Sequence, residues 1–519
     1  MSRPVTSATI LLAATALVAG CVPVLAANPH FATNSGARHK SAVTAGPQHN
    51  GPPPIAAPKN DLSWHDCTAR LFSDAAVPAA PGVTLDCATY DADLDPTNGA
   101  SGSLSIGAVR ARAVQTPADA GPVVFTTGSD LPSSQQLPVW LSHAGADVLR
   151  SHPIVAVDRR GMGTSSAVDC RDQLDRDQMR DQAQFQPGDD QVANVSDTAN
   201  SATTSCTDTI APGDSDYDNN HAAGDIERLR SIWDVPALAL VGVGNGAQVA
   251  LSYAGAHSDR VARLVLDSPV PLGISAEGAA EQKVKGQQAA LDAFAAQCLA
   301  LKCSLGRDPK GAVASLLTAA RAGHGPGGAS VAAVSGALVT ALGYPSGDRI
   351  NDTTNLADTI SAANSGDTNK LTSLINRAEA TTGTDGEFIN SCSDALNRPT
   401  PDRIRELVVA WGKLYPQFGA VAALDLADCV HWPSGSAPQP PKHLRNDVML
   451  QGVQNDPIVG MEGVTATAAS VINAGAASKR VMWQGIGHGA SIYSSCAVPP
   501  LIAYLNNGKL PETDTYCPA

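Results

Sequence analysis

The stretch Leu238-Ala239-Leu240-Val241-Gly242-Val243-Gly244-Asn245-Gly246-Ala247 constrains the fold more than any other part of the chain. An apolar run ends in a Gly-rich turn, and Gln248 to Ala256 then continues in Ala-rich helical spacing. The pattern reads as strand, sharp turn, helix, with glycines where the doubling chain leaves no room for a Cβ. Upstream, Ala222 to Ile232 sets Ile226, Leu229 and Ile232 on one helical face; downstream, Val261 to Asp267 is a short buried strand. Strands separated by helices in this way imply a β-α-β unit and a mostly parallel sheet.

The same alternation extends in both directions. Leu104 to Ala113, Pro122 to Thr126 and Pro153 to Asp158 read as strands before the turn, and Asp447 to Gly452 and Arg480 to Gln484 as strands after it. Arg403 to Trp411 and Pro500 to Leu505 are helical. Residues 170–215 are polar and acidic, a long surface excursion bounded by Cys170 and Cys206. From residue 275 to 390 the pattern changes to Ala-rich amphipathic helices without a convincing strand, as in an inserted helical cap. The expected fold class is therefore α/β: a sheet core in two parts, residues 61–274 and 391–519, with the cap 275–390 between them.

At 519 residues the chain can bury a substantial core. Its net charge of −14 and lack of a Lys/Arg cluster remove the basic footprint that nucleic-acid binding requires. Residues 1–20 carry Arg3, an apolar stretch from Ile10 to Val18, and Val18-Ala19-Gly20-Cys21, which reads as an export signal. A small-residue site followed by cysteine resembles the lipobox of bacterial lipoproteins and makes Cys21 a lipidation site; cleavage near Ala26-Ala27 is the alternative. Residues 21–60, rich in Pro, Gly, Ala and Ser, read as a disordered tether. No later run is long and apolar enough for a membrane span. The expected location is the cell envelope or outside the cell, with membrane contact only through a lipid at Cys21.

Eleven cysteines suit that oxidising compartment. Without Cys21 they fall into neighbouring pairs: Cys67 and Cys87, Cys170 and Cys206, Cys298 and Cys303, Cys392 and Cys429, Cys496 and Cys517. Sequential pairing staples five loops without crossing, although sequence alone does not fix connectivity. No paired Cys/His spacing suggests a metal.

The Gly-rich turn admits two chemical readings. Gly242 to Ala247 satisfies G-x-G-x-x-A, and Asp267 closes the next strand where a ribose-binding carboxylate would stand, the pattern of a dinucleotide site. The other reading is the G-x-S-x-G elbow that presents a nucleophile, with Gly244 at the serine position. An acid and a histidine then belong after late strands. Asp456 follows the strand ending at Gly452, and His488 lies in Gly485-Ile486-Gly487-His488-Gly489. That order suits a histidine that shuttles a proton while a carboxylate fixes its tautomer.

Residues 62–519 resemble the secreted tripeptidyl aminopeptidase-like α/β hydrolases with a TAP-like C-terminal region. The resemblance rests on Trp64-His65-Asp66-Cys67, Asp158 to Ser165, Asp225 to Arg230, the elbow with Val265-Leu266-Asp267, Asp428-Cys429-Val430-His431-Trp432-Pro433, and Gly487-His488-Gly489. It implies peptide or ester hydrolysis under a helical lid, with acid and base at Asp456 and His488 and no cofactor. The oxyanion region falls on Gly128, Ser129 and Asn245. The family's Gly-Gly-Pro-Gly loop is here Thr127-Gly128-Ser129-Asp130-Leu131-Pro132, and its acidic residue opposes a developing oxyanion. The expectation is a member with lost or very weak hydrolase activity that binds a peptide or acyl ligand. An active hydrolase using another nucleophile, such as Ser129, Ser165 or Ser268, is the alternative.

Overall fold

A computed structural model describes residues 52–97, 102–183, 188–433, 435, 438 and 440–519. The export signal, Cys21 and residues 22–51 of the tether lie outside the described residues.

One ten-stranded sheet runs through the described core in the order β1-β2-β3-β5-β4-β6-β7-β8-β9-β10. The strands are β1 (His65–Asp66), β2 (Val83–Asp93), β3 (Ser103–Ala113), β4 (Val123–Thr126), β5 (Ile154–Val157), β6 (Leu238–Val243), β7 (Val261–Asp267), β8 (Val448–Asn455), β9 (Ser478–Ile486) and β10 (Thr515–Cys517). β1 to β3 form an antiparallel edge, and β3 also meets β5 antiparallel. From β5 to β10 every pairing is parallel. The central strands β4, β5, β6 and β7 are buried throughout, as continuous apolar runs require when both faces are covered. One cluster, with Phe125, Trp140, Val241 and Leu501, lies on one face; the other, with Trp233, Leu240, Tyr253 and Leu450, lies on the opposite face.

The cap is larger than the expected residues 275–390. Its helices include Ala276–Leu301, Val331–Gly343 and Asp385–Asp394, and they continue through Pro401–Leu414 and Gly419–Leu424. The reason is packing: Ile404, Leu407 and Trp411 enter the same apolar cluster as Val284, Phe294 and Leu338. The sheet resumes only at β8. The excursion 170–215 is also not bare surface. It forms helices Gln173–Arg180 and Gln191–Ile210, the second adding Val192 and Val195 to the cap cluster. Each begins on an aspartate, Asp172 or Asp190, whose carboxylate accepts an orphan N–H three residues on.

Residues 52–60, assigned to the tether from composition, run along the core. The Pro53 carbonyl accepts from Arg263, Lys59 N–H donates to the Trp233 carbonyl, and Ile55 packs on a core cluster. The five sequential cysteine pairs all form bridges: Cys67–Cys87, Cys170–Cys206, Cys298–Cys303, Cys392–Cys429 and Cys496–Cys517. No described helix is long and apolar enough to cross a membrane.

Candidate active site

Gly244 caps the helix Asn245–Ala256 with φ 59° and ψ −122°, a conformation that disfavours side chains. The tight turn is held because Gly246 lies against the Thr126 carbonyl and Gly242 against the Gly246 carbonyl, close approaches that admit no Cβ. The turn therefore has the shape of an elbow, and the residue at its apex has no side chain.

The space above Gly244 is filled from another strand. Asp130, in the loop after β4, places its carboxylate over the apex, where a Cβ built on Gly244 would lie 1.8 Å from Asp130 Oδ2 and 2.5 Å from His488 Nε2. Asn245 grips that carboxylate twice: its backbone N–H donates to Oδ2 at 2.7 Å and its side-chain amide donates to Oδ1 at 2.7 Å. His488 Nε2 lies 3.3 Å from Asp130 Oδ2, and its Nδ1 lies 3.0 Å from Asp456 Oδ2. Asp456 is fixed in turn by the N–H groups of Ile458 and Val459, which donate to Oδ1. The resulting line runs carboxylate, imidazole, carboxylate. Burial depresses His488, but Asp456 and the hydrogen bond with Asp130 outweigh it and push His488 up to about 10. The imidazole is a cation at neutral pH.

Asp456 and His488, paired in the sequence reading, are brought together, and Gly244 and Asn245 lie beside them. Gly128 packs against the Asn245–Gly246 peptide and Ser129 is buried, its hydroxyl without a hydrogen-bond partner among the described residues. Of the other serines, Ser165 has a structural role, its Oγ donating to the Asp158 carbonyl and accepting from Gly107 N–H, and Ser268, directly after β7, is buried with its hydroxyl unpartnered among the described residues. Asp267 does not face a ligand site. It is fully buried and accepts from Ala490 N–H and from the N–H and hydroxyl of Ser491, holding the turn that follows His488. That arrangement corrects the dinucleotide reading, which needs the carboxylate free to bind a ribose. The run Asp158 to Ser165 is likewise structural: Asp158 accepts from the hydroxyls of Ser134 and Thr164, and Arg160 pairs with Asp225.

The site opens into a cavity of about 500 Å³ between core and cap. Asp130, Asn245, Tyr344, Lys283, Glu387 and Asp428 are among its lining residues. Tyr344, immediately after a cap helix, turns its ring edge-on to His488 at 6.1 Å between centroids, and its hydroxyl has no partner among the described residues. Burial and then the nearby Asp130 charge hold the phenol well above its ordinary value. Glu387, short of water, is pushed up to about 7 against the opposing charges of Lys283 and Arg171. Asp428 is raised by burial and by its acidic neighbours Asp425 and Glu387. Tyr344, Lys283 and Glu387 belong to no short motif, and Asp428 opens the run Asp428 to Pro433; only the fold assembles them.

Residues 131–308 match the family described as alpha/beta hydrolase fold, and residues 415–517 match the family described as TAP-like protein. With the parallel sheet and the elbow, these matches make the chain an α/β hydrolase by fold. Its C-terminal part is similar to the TAP-like family over residues 415–517. A stretch of 163 residues is 26% identical to the serine protease Hip1 of Mycobacterium tuberculosis (strain ATCC 25618 / H37Rv) and of Mycobacterium bovis (strain ATCC BAA-935 / AF2122/97). That stretch covers 31% of this chain and 31% of each relative. Among solved structures, the fold is similar to esterase E22, with 11% identity, a TM-score of 0.42, and 82% of this chain and 100% of that chain covered. A thermophilic esterase from Thermogutta terrifontis is similar at 14% identity and a TM-score of 0.35, over 81% of this chain and 99% of that one.

Proposed function

We propose that this chain has given up serine-type acyl hydrolysis and binds a peptide or acyl ligand in the cavity beneath its cap. Export, with a lipid on Cys21, belongs to the same reading and is supported by the five bridges. One observation carries the loss of acyl chemistry. Asp130 stands where a serine hydroxyl would have to be and also takes the backbone N–H that would stabilise an acyl oxyanion. A substrate carbonyl finds neither a hydroxyl at Gly244 nor a free donor at Asn245. The polar cavity nevertheless remains, with cationic and acidic side chains suited to a peptide's two ends.

Aminoacyl and peptidyl chromogenic amides and short-chain esters should show no turnover above buffer; turnover that His488→Ala abolishes would overturn the reading. A serine restored at 244 collides with Asp130, so Gly244→Ser alone should stay unlabelled by a serine-reactive phosphonate. The double variant Gly244→Ser/Asp130→Gly should be labelled, because Asp456 and His488 are already aligned. Equal labelling of the single and double variants would show that Asp130 does not occupy the site.

A further inference from the structure

We infer that Asp130 is itself a nucleophile, directed at an sp³ carbon of an epoxide rather than at an acyl carbon. This goes beyond the loss of serine chemistry and does not depend on the ligand class proposed above. Asn245 aims two donors at one carboxyl group, 2.7 Å to each oxygen. Those donors cannot serve an oxyanion on a foreign carbonyl while Asp130 holds them. They can serve an oxyanion that forms on the carboxyl carbon of Asp130, which arises when water adds to an ester of Asp130. His488, 3.3 Å from Oδ2 and oriented by Asp456, stands where a base must stand to deliver that water. The arrangement is that of a carboxylate equipped for hydrolysis of its own ester.

Tyr344 supplies the second, independent observation. Its side chain is 6% exposed, its hydroxyl lacks a partner among the described residues, and it lines the same cavity as Asp130. A buried donor of this kind calls for an oxygen acceptor from a ligand. Carboxylate attack on a saturated carbon needs one proton delivered to the leaving oxygen, and an epoxide keeps that oxygen in the molecule.

The steps balance. Asp130 forms a C–O bond to one ring carbon as the ring C–O bond breaks; Tyr344 donates its proton to the departing oxygen and recovers one from the His488 imidazolium. The product of this half is a hydroxyalkyl ester of Asp130 beside a neutral imidazole. His488 then takes a proton from water, hydroxide adds to the ester carbon between the Asn245 donors, and the diol leaves with an oxygen from the epoxide and one from Asp130. The carboxylate and the imidazolium are restored, and the sum is epoxide plus water to diol. No oxidant or metal enters.

The probe is styrene oxide, applied to the full chain. A single turnover in ¹⁸O-water should leave the heavy oxygen in the Asp130 peptide and not in the diol. Acid quench and peptide mapping should find the hydroxyphenethyl ester on Asp130, accumulating in His488→Gln and absent in Asp130→Asn. Tyr344→Phe should slow ester formation at least about tenfold, as expected for loss of a general acid. No diol and no ester from the wild-type chain would overturn the inference. So would heavy oxygen found only in the diol, or an ester that persists in Asp130→Asn. The wild-type isotope measurement needs no variant, so misfolding of a substituted chain does not protect the inference. Because styrene oxide carries no acyl group, its outcome is separate from that of the amide and ester assays.

Discussion

At the residue scale the central fact is a histidine held between two carboxylates. The folded value of His488 stands above its unfolded value near 6.5, so its stabilising contribution is complete below about 6.5 and disappears as pH rises through about 10. Asp130→Asn removes one of the two anions and should lower the His488 titration by about 1–3 units, read by NMR of the imidazole. Stability of the variant should then fall less steeply than wild type between pH 8 and 10, which chemical denaturation at each pH would measure. An unchanged imidazole titration would contradict the contact. The sequence shows Asp130 as an acid in a loop unfit for an oxyanion, and Asp456 and His488 by order and spacing. It does not show that Asp130 lies on Gly244, because the contact joins loops 115 residues apart. Tyr344 carries no local signal at all; its role comes from a cap helix ending beside β9.

At the element scale the β6 strand, its turn and its helix are where the apolar run and glycines placed them, since a buried parallel strand is a local pattern read without its partners. The helices Gln173–Arg180 and Gln191–Ile210 are less legible, because their Ser, Thr, Asn and Asp content has weak helix propensity and their order comes from aspartate caps and packing. β2 pairs with β3 along eleven residues yet alternates buried and exposed positions among acids and threonines that also suit a loop. The cap boundary moved for a related reason: Pro401–Leu414 reads as a helix anywhere, and only its contacts assign it. Its Trp411 is 4% exposed in the cap cluster, so Trp411→Ala should destabilise by about 3–5 kcal/mol by urea unfolding. Glu387, on the cap helix Asp385–Asp394, tests the electrostatics of the cavity. Its folded value of about 7 lies above the unfolded carboxylate range, so the protein loses stability as pH rises from about 4.5 through 7. Glu387→Gln should flatten that slope and be more stable at pH 8, by on the order of 2 kcal/mol. An equal pH slope in both proteins would contradict it.

At the scale of the whole molecule, the antiparallel edge, the parallel centre and the excursion before β6 are joined through one buried arginine. Arg160, just after β5, donates to the carbonyls of Asp93 and Leu94 at the end of β2, to that of Asp216, and to both carboxylate oxygens of Asp225 on the helix preceding β6. The side chains of Arg160 and Asp225 are 1% and 3% exposed. A pair so deep gains little net energy over a hydrophobic replacement, but losing one partner strands the other charge. Arg160→Leu should therefore cost about 3–5 kcal/mol, because Asp225 loses its guanidinium partner and the carbonyls of Asp93, Leu94, Asp216 and His221 each lose a donor, whereas Arg160→Leu/Asp225→Leu should recover a measurable part of that loss. Urea unfolding of the wild type, both single variants and the double variant forms the complete cycle. Additive single losses would mean that the two residues do not act as a pair, and that strand pairing and apolar packing hold the edge to the elbow side of the sheet without them.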